Sequence, residues 1–259
     1  MPETPSDPVL LHARADGIAI ITINRPEQRN CLSKEVREGL FAAWEWFEND
    51  PTMLIAILTG AGEQSFCAGG DLKEMVETGM AVPARNFIPL PYDNLELTKP
   101  TIAAVNGFAF AGGWALAQNC DLCVASTSAQ FAITEVKVGR GSPWATPLIH
   151  MIPQRIMMEI ILTGKPITGQ RAYEIGLVNR LAEPAALMDV AIELAQEVLE
   201  GAPLSVKAGR ETVMLATEMG RSAALQAGRA AHETAYNSED AREGPRAFAE
   251  KRKPEWKGR

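Results

Sequence analysis

The hydrophobic positions of this chain change texture about half-way along it. Up to Glu135 they come as short dense runs, Ile18 to Ile23, Met53 to Thr59, Thr101 to Val105 and Asp121 to Ala125, of the kind seen in strands covered on both faces. Between the first two runs, Val36, Leu40, Trp44 and Phe47 recur at helical spacing behind Ser33, a residue suited to cap a helix. Asn49-Asp50-Pro51 ends that pattern. A helix over about Gly112 to Asn119 and a short strand over Gln130 to Ile133 complete an alternation that predicts an α/β fold of βα-type units around a largely buried sheet.

From Pro143 onward the pattern reads as helices separated by Gly and Pro. They are Trp144 to Met151, Arg155 to Leu162, Gly169 to Ile175 behind a Thr168 cap, Pro184 to Glu200, Ser205 to Thr217 and Arg221 to Tyr236. A helical tail of this kind seldom forms its own core, so it is expected to cover the first domain or to pack against a partner subunit. Met80 to Pro91, with three prolines and no period, reads as a loop or a mobile flap.

Composition narrows the classes. The 259 residues, 46% hydrophobic, suffice for one large domain or a domain with a small appendage. Apolar runs stay far below the ~20 residues of a membrane-spanning helix, and Met1 to Pro8 carries neither a basic nor an apolar stretch, so a cytoplasmic protein without membrane attachment is expected. A net charge of -7 argues against a nucleic-acid surface, although Lys251-Arg252-Lys253 offers a local basic patch for a phosphorylated ligand. Cys31, Cys67, Cys120 and Cys123 sit among apolar or glycine residues and read as reduced thiols. Three scattered histidines suggest no metal site.

Two glycine-bearing segments carry the chemistry: Phe66-Cys67-Ala68-Gly69-Gly70-Asp71-Leu72 and Asn106-Gly107-Phe108-Ala109-Phe110-Ala111-Gly112-Gly113-Trp114. Each follows a strand, and each can expose a backbone N–H; two such donors aimed at one point stabilise negative charge on an acyl oxygen. Nucleotide-binding readings fail. Gly107 and Gly112 have the outer spacing of a phosphate loop, but Gly113-Trp114 follows instead of Lys and Ser or Thr, and Gly60-Ala61-Gly62 has Ser65 where a dinucleotide fingerprint needs glycine. The chain reads as an enzyme acting on acyl groups.

These segments, with Ile23-Asn24-Arg25-Pro26, Asn30-Cys31-Leu32, Cys120-Asp121, Leu162-Thr163-Gly164, Gly176-Leu177-Val178 and Phe248 to Lys253, resemble the crotonase superfamily, the enoyl-CoA hydratase/isomerase family, over nearly the whole chain. The resemblance implies a crotonase-like spiral of ββα units over residues 1–200 and a helical C-terminal trimerisation region over 201–259. It implies a homotrimer or dimer of trimers acting on acyl-CoA thioesters, with coenzyme A as part of the substrate and no separate cofactor. By position it assigns the oxyanion donors to the N–H groups of Ala68 and Gly112.

The same resemblance matches Glu135 to one of two glutamates that typical enoyl-CoA hydratases use, while the other position falls on Ala115. Water addition to an α,β-unsaturated thioester with Glu135 as acid/base is the expected reaction. Δ3-Δ2-enoyl-CoA isomerisation and hydroxycinnamoyl-CoA hydration with cleavage are the alternatives that one glutamate allows, and a non-catalytic acyl-CoA-binding protein is an alternative of another class. Arg29, Phe248 and Lys251 match positions near the nucleotide end of coenzyme A. Trp114 and Trp144 are candidates to shape the acyl pocket or to serve as core residues. Asp71, with Leu72 beside it, is a candidate for a substrate contact or a helix cap.

Overall fold

A computed structural model describes residues 6–79 and 82–259. The chain divides into two compact units: the first runs to Leu97 and resumes over Thr101–Ala195, and the second holds Thr98–Pro100 and Gln196–Arg259.

The first unit contains two sheets. The larger is built from β1 (Val9–Ala13), β2 (Ile18–Ile23), β3 (Ile55–Gly60), β5 (Thr101–Val105), β7 (Leu122–Ser126) and β10 (Arg180–Ala182), adjacent in that order. β1 and β2 pair antiparallel across a turn, and every later pairing is parallel. Every residue of β3 and β5 is buried, and their sequences are accordingly apolar apart from Thr59 and Thr101, with no polar alternation. The smaller sheet contains β4 (Ser65–Cys67), β6 (Phe108–Phe110), β8 (Gln130–Ala132) and β9 (Ile167–Thr168).

A repeating path links the sheets. β3 leads to β4, β5 to β6 and β7 to β8, each time from the larger sheet to the smaller within a few residues. A helix follows each time: α2 (Leu72–Thr78) after β4, α3 (Gly112–Gln118) after β6, and a 3-10 turn at Thr134–Val138 after β8. This is the expected ββα spiral. α1 (Lys34–Asn49) starts at the Ser33 cap, which accepts the Val36 N–H, and buries Val36, Leu40, Trp44 and Phe47 as the spacing predicts.

The texture after Glu135 is less purely helical than expected. α4 (Gln154–Thr163) and α5 (Gly169–Glu174), the latter capped by Thr168, form as read, but β9 and β10 interrupt the series. Each is only two or three residues long, too short to leave a periodic signal. The segment read as a helix from Trp144 is a 3-10 run, Pro143–His150, because Pro147 has no N–H to donate inside it. α6 (Leu187–Leu199) follows.

In the second unit, α7 (Pro203–Glu218) and α8 (Arg221–Tyr236) pack together, with Gly228 of α8 facing Thr212. α9 (Asp240–Ala249) anchors the C-terminal residues through two acidic side chains: Asp240 accepts the N–H groups of Lys257 and Gly258, and Glu243 accepts that of Glu255 and pairs with Arg252. Among the described residues, no helix is long and apolar enough to cross a membrane. The flap reading of Met80 to Pro91 begins on Met80 and Ala81, which lie outside the described residues. Further along, Asn94 bonds Leu90 and Ile88, and the Tyr92 hydroxyl donates to Asp121.

Candidate active site

β4, β6 and β8 lie side by side and run parallel, so their carboxyl ends open on one edge of the smaller sheet. Each end leads into one of the segments singled out in the sequence: β4 into Ala68 to Asp71, β6 into Ala111 and Gly112, β8 into Ile133 to Glu135. The carboxyl edge of a parallel sheet is the usual place for a ligand. Ala111 is tied to this edge directly, its N–H donating to the Ala132 carbonyl at 2.9 Å.

The two glycine segments touch. Gly69 takes a φ of +92°, which only glycine adopts readily, and a Cβ there would stand 3.3 Å from the Gly112 nitrogen and 2.8 Å from Ala111 Cβ. Ala111 itself has φ 50° and ψ -121°, a conformation uncommon for a residue with a side chain. It turns the chain so that α3 begins at Gly112, whose N–H belongs to the first helical turn and has no acceptor within the helix.

The amide of Ala68 is engaged elsewhere. It donates to the Arg29 carbonyl at 3.0 Å, a bond that joins this loop to the Asn24 to Leu32 segment. The next amide, of Gly69, lies 3.5 Å from Cys67 Sγ, and the Leu32 N–H donates to the Gly69 carbonyl at 2.8 Å. Among the described residues the amides of Gly70 and Gly112 donate to no acceptor.

Glu135 stands at the start of the 3-10 turn after β8. Its Oε1 accepts the Trp144 indole N–H at 2.8 Å, while Oε2 is buried and makes no hydrogen bond. Burial pushes its carboxyl above the usual glutamate value, against the opposing effects of a backbone N–H, the Trp144 indole and the Arg140 charge. Trp144 packs partly buried against the core, and its carbonyl accepts the Gln118 side-chain amide at 2.9 Å. Ala115 is fully buried on α3, with no carboxylate to offer. Trp114, also fully buried, sets its ring edge-on to Phe131 at 5.6 Å, as a core residue does.

The remaining candidates are placed as follows. Asp71 caps α2, accepting the Lys73 and Glu74 N–H groups, and lies 3.7 Å from Arg25; Leu72 opens that helix and is exposed. Arg29 is exposed and lines a groove of about 470 Å³ with Pro26, Glu27, Ala61, Glu63, Gln64 and Ser65. Phe248 and Lys251 belong to the second unit, and Phe248 is 87% exposed. The Trp144 to Glu135 bond, the Gln118 anchor and the unengaged Gly70 amide were not read from the sequence. A glutamine directly after the apolar run Trp114 to Ala117, on the same predicted helix, was the available signal for the anchor.

Residues 13–259 match the family model described as enoyl-CoA hydratase/isomerase. The chain belongs to this family. Within the enoyl-CoA hydratase/isomerase family it is 38% identical over 256 residues to an (E)-benzylidenesuccinyl-CoA hydratase of Thauera aromatica, covering 97% of this chain and 99% of the relative. It is 39% identical over 264 residues to a carnitinyl-CoA dehydratase of Salmonella paratyphi A, covering 96% and 98%. The crystal structure of an enoyl-CoA hydratase from Mycobacterium tuberculosis H37Rv superposes with a TM-score of 0.90 at 38% identity, over 98% of this chain and all of that one. The crotonase fold and an enzyme of this family are therefore established.

Proposed function

We propose that this family member adds water to, or removes it from, an acyl-CoA thioester, with Glu135 as the acid/base group. The observation that carries the reading is a glutamate with one oxygen held and the other buried and unpaired, just beyond the strand next to the one that delivers Gly112. The hydratase and dehydratase relatives support the same chemistry.

The oxyanion donors in this reading are Gly70 and Gly112. The resemblance points to Ala68, but its N–H already serves Arg29, and moving the role two residues on uses an amide with no internal acceptor. In hydration, water gives a proton to Glu135 Oε2 as its oxygen bonds to the β-carbon. The double-bond electrons move onto the thioester oxygen beside the two amides, and the carboxylic acid then returns the proton to the α-carbon as the oxygen charge collapses. Dehydration runs these steps backwards. Arg29 in its groove supplies a cationic group suited to the nucleotide of coenzyme A, and Lys251 and Phe248 of the second unit carry cationic and aromatic groups to the site of a neighbouring subunit.

A second reading follows from Ala115. With no carboxylate on that turn of α3, a single shuttling group also suits Δ3-Δ2 double-bond migration or the hydration and cleavage of an aryl-propenoyl thioester. Purified protein supplied with 2-enoyl-, 3-enoyl- and aryl-propenoyl-CoA separates them, by following water addition, double-bond migration and carbon–carbon cleavage. Hydration of a 2-enoyl thioester that disappears in Glu135→Gln supports the first reading, and full turnover by that variant overturns it. The exposed Val213, Leu225 and Tyr236 of the second unit support assembly into a homotrimer or dimer of trimers, which light scattering on the purified protein tests.

A further inference from the structure

Trp144 is nine residues beyond Glu135, yet its indole nitrogen reaches Glu135 Oε1 at 2.8 Å. The main chain of the same tryptophan is fixed as well, because its carbonyl accepts Gln118 Nε2 at 2.9 Å. Gln118 lies on α3, one turn beyond Trp114 and Ala115, and is only 6% exposed. A polar side chain buried among apolar neighbours needs a partner, and this one donates its Nε2–H to the Trp144 carbonyl while its Oε1 accepts nothing among the described residues. The helix that begins at Gly112 is thus connected through Gln118 and Trp144 to the carboxyl group of Glu135.

We infer that Trp144 is a positioning residue for Glu135, its indole N–H fixing Oε1 so that Oε2 alone exchanges protons with substrate, and that Gln118 holds Trp144 in register with α3. This rests on the reading of Glu135 as the acid/base group. A lone carboxylate can rotate and present either oxygen, and no second carboxylate stands at Ala115 to share the orientation of water. The indole is a donor without acceptor capacity, so it holds the carboxyl group without competing for the proton that is moved. Holding a reacting group in one geometry lowers the barrier without tightening ground-state binding.

The test compares Trp144→Phe, which keeps a ring and loses the N–H, with Glu135→Gln in the full-length protein. Trp144→Phe is expected to lower kcat about ten- to one-hundred-fold, the range for a hydrogen bond to a charged group, with KM little changed. The acid limb of its kcat profile moves to higher pH, because a donor that favours the carboxylate has been removed. Gln118→Leu is expected to show a weaker version of both effects. A wild-type kcat and pH profile in Trp144→Phe, with Glu135→Gln inactive, overturns the positioning role alone. Full turnover in Glu135→Gln instead overturns the reading beneath it. Should Trp144→Phe not fold, indole 15N labelling of the five tryptophans provides the second measurement. One indole N–H resonance titrating in the native protein and not in Glu135→Gln supports the contact, and none doing so overturns it.

Discussion

A Cβ on Gly113 would stand 2.0 Å from the carbonyl oxygen of Cys67, so the first turn of α3 and the end of β4 are in backbone contact. Nothing larger than hydrogen fits between them. Gly113→Ala must therefore push α3 away from β4 and part Gly112 from Gly69. A cost near 3 kcal/mol, the upper part of the range for overpacking, is expected, with loss of turnover. Chemical denaturation and kcat check it, and an unchanged unfolding midpoint would show that the two segments are not held this tightly.

Gly112 is the first residue of α3, a position where proline is tolerated because its missing N–H has no helical acceptor. Gly112→Ala and Gly112→Pro both add a Cβ that meets the movable Leu32 side chain, but only proline removes the donor. Proline also presses on Ala111, whose φ of 50° and ψ of -121° a following proline disfavours, so the rates are compared in variants with matching unfolding midpoints. If this amide receives the thioester oxygen, kcat in Gly112→Pro falls about 10²- to 10³-fold below that of Gly112→Ala. Equal rates in the two variants would remove Gly112 from the oxyanion site.

Burial raises the pKa of Glu135, so the folded protein favours its protonated form. The stability this contributes is fully present below the unfolded value and is lost as pH rises through the folded one. Glu135→Gln keeps a neutral group throughout. Its Tm should exceed that of the native protein at neutral pH, and the gap should close as the medium becomes acidic. A gap of constant size across the titration would mean that Glu135 is not ionising in a buried setting.

Asn30 is fully buried, with a φ of 54°. Its side chain accepts the Arg25 N–H and donates to the carbonyls of Ala61 and Ser65, holding the Asn24 to Leu32 segment against the connection from β3 into β4. Asn30→Ala leaves the Arg25 N–H and the Ala61 carbonyl without this partner, Asn106 Nδ2 still reaching the Ser65 carbonyl at 3.2 Å, and places alanine in a left-handed conformation. A loss of about 3 kcal/mol is expected from the three hydrogen bonds, one of them buried, and the left-handed backbone. Denaturant unfolding measures it, and a loss below about 1 kcal/mol would mean that water replaces the side chain.

Much of the fold was legible in the sequence. β2, β5, α1 and α8 appear at or within a residue of their expected bounds, because dense apolar runs, a helical period and a Ser33 cap are local signals. The smaller sheet was only partly legible. β4, β6 and β9 have two or three residues each, and their pairing joins segments far apart in the chain. The Gln130 to Ile133 strand was seen, but its neighbours were not.

The candidate site divides in the same way. The amino-acid sequence by itself determined the family, through spaced motifs, and it marked both glycine segments and Glu135, because backbone exposure and carboxylate chemistry depend on residue type. Which amide is spare depends on what every other amide is bonded to, and the tertiary structure alone decided that Ala68 serves Arg29 while Gly70 does not. It also decided what Glu135 faces. The hydrogen bond it accepts from Trp144, and the Gln118 bond that fixes Trp144, are set by packing between elements separated in the chain, which a linear pattern does not encode.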